Sequence, residues 1–388
     1  MTPKLPVYMD YHATTPVDPR VFDAMYPYFS QEFGNASSID HIFGARAHEA
    51  VEMAREQVAS CINAKPEEII FTSGATESDN IALLGVAERM ARRGDHIITC
   101  ATEHKAVLDT ANHLKRIGKT VTYLPVDRYG LVNPDEVEEA ITDRTILISV
   151  MAANNEIGTL APLKEIGIVA KANGVLFHTD AAQAVGHIPL DVKEMGIDLL
   201  SLSGHKVYGP KGIGALYIGG ANPKRKVSPV MFGGGHERGL RSGTYNVPGI
   251  VGLGKALEIA QKEMKVENGR FRKWTKQMFE SFKDEIEGVT LNGHPEKRLA
   301  HNLNVCFPGI EGKALTHLLR TDVAISTGSA CTTSSVEPSH VLKAIGLDES
   351  NIFSAVRFGL GRFNTEEEIE HCINMVISCS KTLRRFSD

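Results

Sequence analysis

No apolar run in this chain of 388 residues approaches the ~18 that a membrane-spanning helix needs. No apolar stretch of a signal peptide follows Lys4, so the cytoplasm is the expected compartment. A basic surplus is also missing. Lys and Arg number 42 against 47 Asp and Glu, and the formal net charge is -5. A nucleic-acid footprint needs a basic face, so the expected partners are a small molecule and other proteins. The six cysteines (Cys61, Cys100, Cys306, Cys331, Cys372 and Cys379) are scattered without a CxxC pair. They read as free thiols of a reducing compartment, not as a disulfide framework. No GxxxxGKS/T loop offers a nucleotide site, and no HExxH or CxxC spacing offers zinc. Internal repeats and low-complexity segments are absent as well.

What is present is an alternation. Short apolar segments at Glu68–Thr72, His96–Cys100, Val121–Pro125, Thr145–Val150, Val175–His178 and Leu199–Leu202 read as strands. Helical patterns at Thr76–Arg93, Lys105–Ile117, Pro134–Ile141 and Leu163–Asn173 lie between most of them. Near-continuous apolar strands that alternate with helices predict a mostly parallel sheet covered on both faces. The pattern fades near residue 260. A long charged helix over Val251–Glu287 follows, then a strand at Asn302–Phe307 and a last helix at Thr365–Arg385. At roughly 100–200 residues per domain, two domains are expected. The boundaries predicted are 16–260 for a large domain, and 1–15 with 261–388 for a smaller α/β domain.

In open α/β sheets, ligands gather outside the carboxyl ends of the strands. The corners after five strands carry Ser73-Gly74-Ala75-Thr76-Glu77, Thr102-Glu103-His104, Ala153-Asn154-Asn155-Glu156, Asp180-Ala181-Ala182-Gln183 and Ser203-Gly204-His205-Lys206. Each alone reads equally well as a helix cap or a turn. Five on one rim point to a site. A helix start built from small residues receives a phosphate. One cofactor accounts for the set: pyridoxal phosphate needs an amine, a carboxylate for its ring nitrogen and a phosphate cup. Lys206 suits the amine and Asp180 the carboxylate. Thr76, Ser203 and His205 suit the cup. Gln183 suits the ring oxygen, and His104 the ring face.

The chain resembles the cysteine desulfurases, in the class V branch of the fold-type I pyridoxal-phosphate enzymes. The resemblance runs over essentially the whole length. Its segments include Tyr11-His12-Ala13-Thr14-Thr15-Pro16, Thr72-Ser73-Gly74-Ala75-Thr76-Glu77-Ser78, Ser203-Gly204-His205-Lys206, Gly233-Gly234-Gly235-His236-Glu237-Arg238, Ser326-Thr327-Gly328-Ser329-Ala330-Cys331 and Arg357-Phe358-Gly359-Leu360-Gly361-Arg362. The housekeeping iron–sulfur-assembly type is nearest, with the nitrogen-fixation type close. The resemblance implies a seven-stranded sheet in the large domain. It implies that Lys206 bonds the cofactor, Asp180 pairs with its ring nitrogen, and Ala75, Thr76, Ser203 and His205 hold phosphate. Thr244 would reach the phosphate of a second subunit in a homodimer. Asn155 and Arg357 would hold the substrate carboxylate, a task that suits a planar guanidinium.

Cys331 lies in a run of small polar residues with no helical or strand period, which reads as a loop. An exposed cysteine there suits a nucleophile. By resemblance, L-cysteine gives L-alanine while its sulfur becomes a Cys331 persulfide. His104 is the candidate proton carrier, and catalysis would rest on Cys331, Lys206 and His104. The sulfur would pass to an iron–sulfur scaffold protein and to other acceptors. No resident metal is implied, although Cys331 could ligate a cluster transiently in a scaffold complex. The rivals are a selenocysteine lyase or an aminotransferase on the same fold, and a non-catalytic sulfur carrier.

Overall fold

The computed structural model describes residues 3–327, apart from Ala221, Pro223 and Arg225, and residues 338–385. Cys331 therefore lies outside the described residues. Among those residues, thirteen strands make three sheets. The strand β1 (Val7–Tyr8) comes first in the chain. The large sheet follows with β2 (Ile69–Thr72), β3 (His96–Cys100), β4 (Thr120–Leu124), β5 (Thr145–Ser149), β6 (Leu176–Asp180), β7 (Leu199–Ser203) and β8 (Gly214–Ile218). Its order is β2-β8-β7-β6-β5-β3-β4. Only β8 runs against its neighbours β2 and β7, and the remaining pairs are parallel. The β8 segment is a buried apolar run, Ala215-Leu216-Tyr217-Ile218 after Gly214, that was not among the six strands expected from sequence.

Alternation along each strand sends neighbouring side chains to opposite faces. Ile98, Ile148, Phe177 and Leu200 face one core, with the helices Ile42–Cys61 and Leu163–Ala172 above them. Ile97, Leu147, Leu199 and Leu216 face the other, beneath the helices Ala75–Arg89 and Lys105–Arg116. The helix Ile42–Cys61 is not evident from apolar spacing because its buried side is largely alanine: Ala47, Ala50, Ala54 and Ala59. Those small residues permit close packing. A Cβ added at Gly254 of the facing helix would stand 2.8 Å from the Ala54 Cα.

A separate core forms around β9 (Thr290–Leu291), β10 (Asn302–Cys306), β11 (Val323–Ala324), β12 (Ser326–Thr327) and β13 (Ala355–Gly359). The strands β12, β13, β10 and β9 make an antiparallel sheet, and β1 pairs with β11, Val7 against Val323. The helix Val247–Glu285 has 39 residues, about 60 Å at 1.5 Å per residue. Ile250, Leu253 and Leu257 near its start enter the first core, and Phe271, Trp274, Met278 and Phe282 enter the second. The expected limit at 260/261 falls inside this unbroken helix. None of the helices among the described residues is long and apolar enough to cross a membrane.

Arg362 joins the two bodies. Its Nε donates to Glu267 of the long helix at 2.6 Å, and its Nη1 donates to Asp18 at 2.8 Å. Its guanidinium carbon lies 4.3 Å from the centre of the Tyr208 ring. Asp18, also bound by Arg20, is held far below the usual carboxylate range. Removing one partner of a buried pair leaves uncompensated charge. Arg362→Met should cost about 3–5 kcal/mol in denaturant unfolding. A loss below about 1 kcal/mol would show that the two bodies do not depend on this link.

Candidate active site

The carboxyl ends of β2, β6 and β7 open on one cavity of about 530 Å³. The helix after β2 begins at Ala75, just after Gly74, whose φ of +151° is open to glycine, and no side chain caps its first turn. Its first N–H groups are therefore left for a ligand. Ala75, Thr76, Ser203 and His205 line the cavity beside them. The chain turns back after β7 through the short helix Gly204–Lys206, which brings Lys206 to the same wall. Asp180 ends β6 and accepts from the Ala182 N–H at 2.9 Å. Asn155, Gln183 and His104 complete the group expected from sequence.

The amine of Lys206 donates to the carbonyl oxygens of His12 at 2.5 Å and Ala13 at 2.8 Å. Burial pushes it down to about 8, and the charge of Arg357 adds to this. Burial pushes Asp180 up, opposed by the Ala182 N–H and by the charges of His104 and Lys206. His205 is pushed down to about 4 by burial and by Lys206 and Lys211, so it is neutral. Its Nδ1 lies 3.1 Å from the Thr14 hydroxyl.

A buried polar layer supports the floor. His178 bridges Ser149 at 2.8 Å and Ser201 at 3.0 Å, and burial pushes it down to about 3. Asp79 lies 3.6 Å from it, and burial with the Asp180 charge pushes Asp79 well above the carboxylate range. His178, lowered so far, is uncharged near neutral pH, and Asp180 is the carboxyl of this layer that borders the cavity.

Two expected residues lie elsewhere. Thr244 is exposed and outside the lining of this cavity. Arg357 is buried, with Nη2 bonded to Asp10 at 2.8 Å and Nη1 to the Asn155 carbonyl at 2.9 Å. Its Nε has no partner. Sequence reasoning assigned nothing to Thr14, Glu77 or Lys211, which also line the cavity. Glu77 accepts from the Ser73 N–H at 2.7 Å and from Arg241 at 2.7 Å, which fixes the phosphate-type turn. The family-like segment Tyr11–Pro16 was the one signal that pointed to Thr14.

A fold-type I sheet with a lysine, a carboxylate and an uncapped helix start on one rim defines a pyridoxal-phosphate enzyme. Residues 7–372 match the family model described as aminotransferase class-V, and the chain belongs to that family. A protein named cysteine desulfurase IscS from Anaeromyxobacter dehalogenans (strain 2CP-C) is 52% identical over 384 residues, covering 99% of this chain and 95% of that protein. Its namesake from Rickettsia bellii (strain OSU 85-389) is 49% identical over 383 residues, covering 99% and 93%. A solved structure described as a NifS-like protein superposes with a TM-score of 0.89 at 39% identity, covering 96% of this chain and 98% of that one. Another, described as SspA in complex with cysteine, gives 0.80 at 40% identity, covering 92% and 100%.

Pyridoxal phosphate is the cofactor of this family, and the cavity suits it. The uncapped turn at Ala75 offers N–H groups to an anion. The raised Asp180 awaits a positive partner, such as a protonated ring nitrogen. The lowered Lys206 offers a neutral amine. Above about 8 that amine is uncharged and nucleophilic, and below it is protonated. Attachment of pyridoxal phosphate to the apoprotein should therefore rise with pH about a midpoint near 8, not near the ordinary 10.5. Arg357→Ala should move the midpoint upward in a stopped-flow pH series. An unmoved midpoint would leave burial as the only cause.

Proposed function

We propose that this chain is a pyridoxal-phosphate-dependent cysteine desulfurase, which converts L-cysteine to L-alanine and leaves the sulfur as a persulfide on Cys331. The observation that carries the reading is the meeting of Lys206, Asp180 and the uncapped turn at Ala75 in one cavity. The names of the relatives support the substrate.

When bound, the cofactor withdraws electrons from the substrate α-carbon. Asp180 keeps the ring nitrogen protonated. Thr76, Ser203 and His205 hold the phosphate with the N–H groups of the helix start. Gln183 donates to the ring oxygen. The Lys206 amine would take the α-proton, and a value lowered to about 8 brings that work closer to neutral pH. His104 accepts from the Ala106 N–H through Nδ1 at 3.1 Å. In the neutral ring the proton therefore sits on Nε2, the atom free to give it up. Asn155 and Arg357 hold the substrate carboxylate, which takes over the place of Asp10 on the guanidinium.

The Cys331 thiolate attacks the substrate sulfur. A sulfur–sulfur bond forms and the carbon–sulfur bond breaks. The electron pair stays on the β-carbon, which takes a proton to become the methyl group of alanine. The residues that flank the Cys331 segment support its access to the cavity. Ser326 pairs with Arg357 across β12 and β13. Beyond the segment, Ser339 donates to Glu156 at 2.5 Å and His340 meets the Glu103 carbonyl at 2.9 Å.

Residues 16–260 form the cofactor domain, and 1–15 with 261–388 form the small domain that carries Arg357 and Cys331. Two separate buried cores support this division. The enzyme is a cytoplasmic homodimer in which Thr244 reaches the phosphate of the other subunit. Large exposed rings at Phe22, Phe29, Phe33 and Phe43 support a self-interface, since monomers rarely leave such patches open. The sulfur goes to an iron–sulfur scaffold protein and to other acceptors.

Two measurements test this reading. Purified protein given L-cysteine should yield alanine and persulfide, while Cys331→Ala keeps the cofactor absorbance and yields neither. Release of selenium from selenocysteine, or of sulfur from cysteine, by that variant would favour the lyase on the same fold. Sedimentation should give the mass of a dimer. Phe29→Asp with Phe33→Asp should shift it toward the monomer and weaken cofactor retention, and an unchanged dimer would place the interface elsewhere.

A further inference from the structure

Three histidine rings stand in a row behind Lys206. His301, just before β10, is sandwiched in the middle. Its ring stacks on His12 at 4.5 Å and 25°, and on His187 at 4.2 Å and 29°. Phe271 of the long helix stands 5.9 Å from the same ring. All three histidines are buried.

The two outer residues grip the cavity. His12 Nδ1 lies 3.0 Å from the Gln183 Oε1, and the His12 carbonyl accepts from the Gln183 Nε2 at 2.9 Å. That carbonyl can only accept, so the Gln183 nitrogen must face it and the oxygen must face Nδ1, which carries the hydrogen. The amide is therefore locked in one of its two flips, and its second N–H is left for the cavity. The same carbonyl accepts from the Lys206 amine at 2.5 Å. At the other end of the row, His187 Nε2 donates to the Lys206 carbonyl at 2.9 Å. Both ends of Lys206 are thus fixed by the outer histidines. The middle ring acts by filling the space between them: its Nδ1 has no partner. Burial, the largest cause in each case, lowers all three rings and so favours their neutral forms.

We propose that His301 is a positioning residue: wedged between His12 and His187, it lets the second core fix the Gln183 amide and the Lys206 amine in the cofactor cavity. The proposal rests on Lys206 being the residue that bonds the cofactor. It assigns to a residue outside the cavity lining the task of aiming two residues inside it.

The test is attachment of pyridoxal phosphate to purified apoprotein of wild type, His301→Ala and His301→Phe. Condensation of the Lys206 amine with the cofactor aldehyde, with loss of water, is followed by visible absorbance. The attached residue is identified by borohydride trapping and peptide mapping. The pH midpoint of the absorbance and the melting temperature of the apoprotein are recorded for each. His301→Ala should bind the cofactor about tenfold more weakly, the scale of one lost hydrogen bond to a charged group. Its absorbance midpoint should also move. His301→Phe keeps the stack and should stay within about twofold of wild type on both measures. Wild-type attachment and midpoint in His301→Ala, whatever its melting temperature, would overturn the wedge. So would a phenylalanine variant as impaired as the alanine one. If His301→Ala does not fold, His12→Ala, which keeps the carbonyl but frees Gln183, faces the same two outcomes. Failure of the wild type to attach the cofactor at Lys206 would instead remove the functional reading.

Discussion

An amine placed in a poorly solvated cavity disfavours its own charge, and this constraint organises the site around Lys206. An amine lowered to about 8 becomes a nucleophile and a base closer to neutral pH than an ordinary lysine does. The same burial raises Asp180, so the carboxylate is poised to accept a positive partner. Around them the protein removes competing charges. His178 and His205 are held neutral, and burial favours the uncharged form of Asp79. A cofactor that brings both a cationic ring nitrogen and a phosphate would meet Asp180 on the floor and a helix start with unclaimed N–H groups.

Much of this was legible because parallel sheets write themselves plainly. Buried on both faces, β3, β5 and β7 appear as short apolar runs, and the polar corner after each run is where ligands gather. Lys206, Asp180, Gln183, Ser203, His205, Thr76 and His104 could be assigned from their place at strand ends, while the role of Asn155 came only with the family resemblance. The strand β8 was passed over although it is as buried as β3, β5 and β7. The alanine-faced helix Ile42–Cys61 lacks the apolar stripe that marks a helix. Nor could spacing reveal that the His12 carbonyl receives both Lys206 and Gln183, contacts that join residues more than 170 positions apart. Arg357 illustrates a different limit. Its type and setting suggested a carboxylate ligand, and here it holds a carboxylate, that of Asp10.

His104 shows that a structural and a chemical reading need not compete. As the residue before the helix Lys105–Arg116, it satisfies the Ala106 N–H through one ring nitrogen. That bond decides the tautomer, and the tautomer leaves the hydrogen on the other nitrogen. A cap that would ordinarily be counted as helix stability thus also sets which atom faces the chemistry.

The pairing of β1 with β11 has a consequence for how the molecule comes into being. Val7 meets Val323, and the His12 and Ala13 carbonyls that cradle the Lys206 amine lie just after β1. The early segment has no sheet partner until residue 323 has been made. At roughly 5–20 residues per second, a ribosome takes on the order of tens of seconds to cover that distance. The large sheet can form in the meantime, but the seat of its lysine stays unfinished. Until then that segment is held only by its contacts with the large body, such as Thr15 with His205 and Tyr208, and the seat is completed late in the making of each chain.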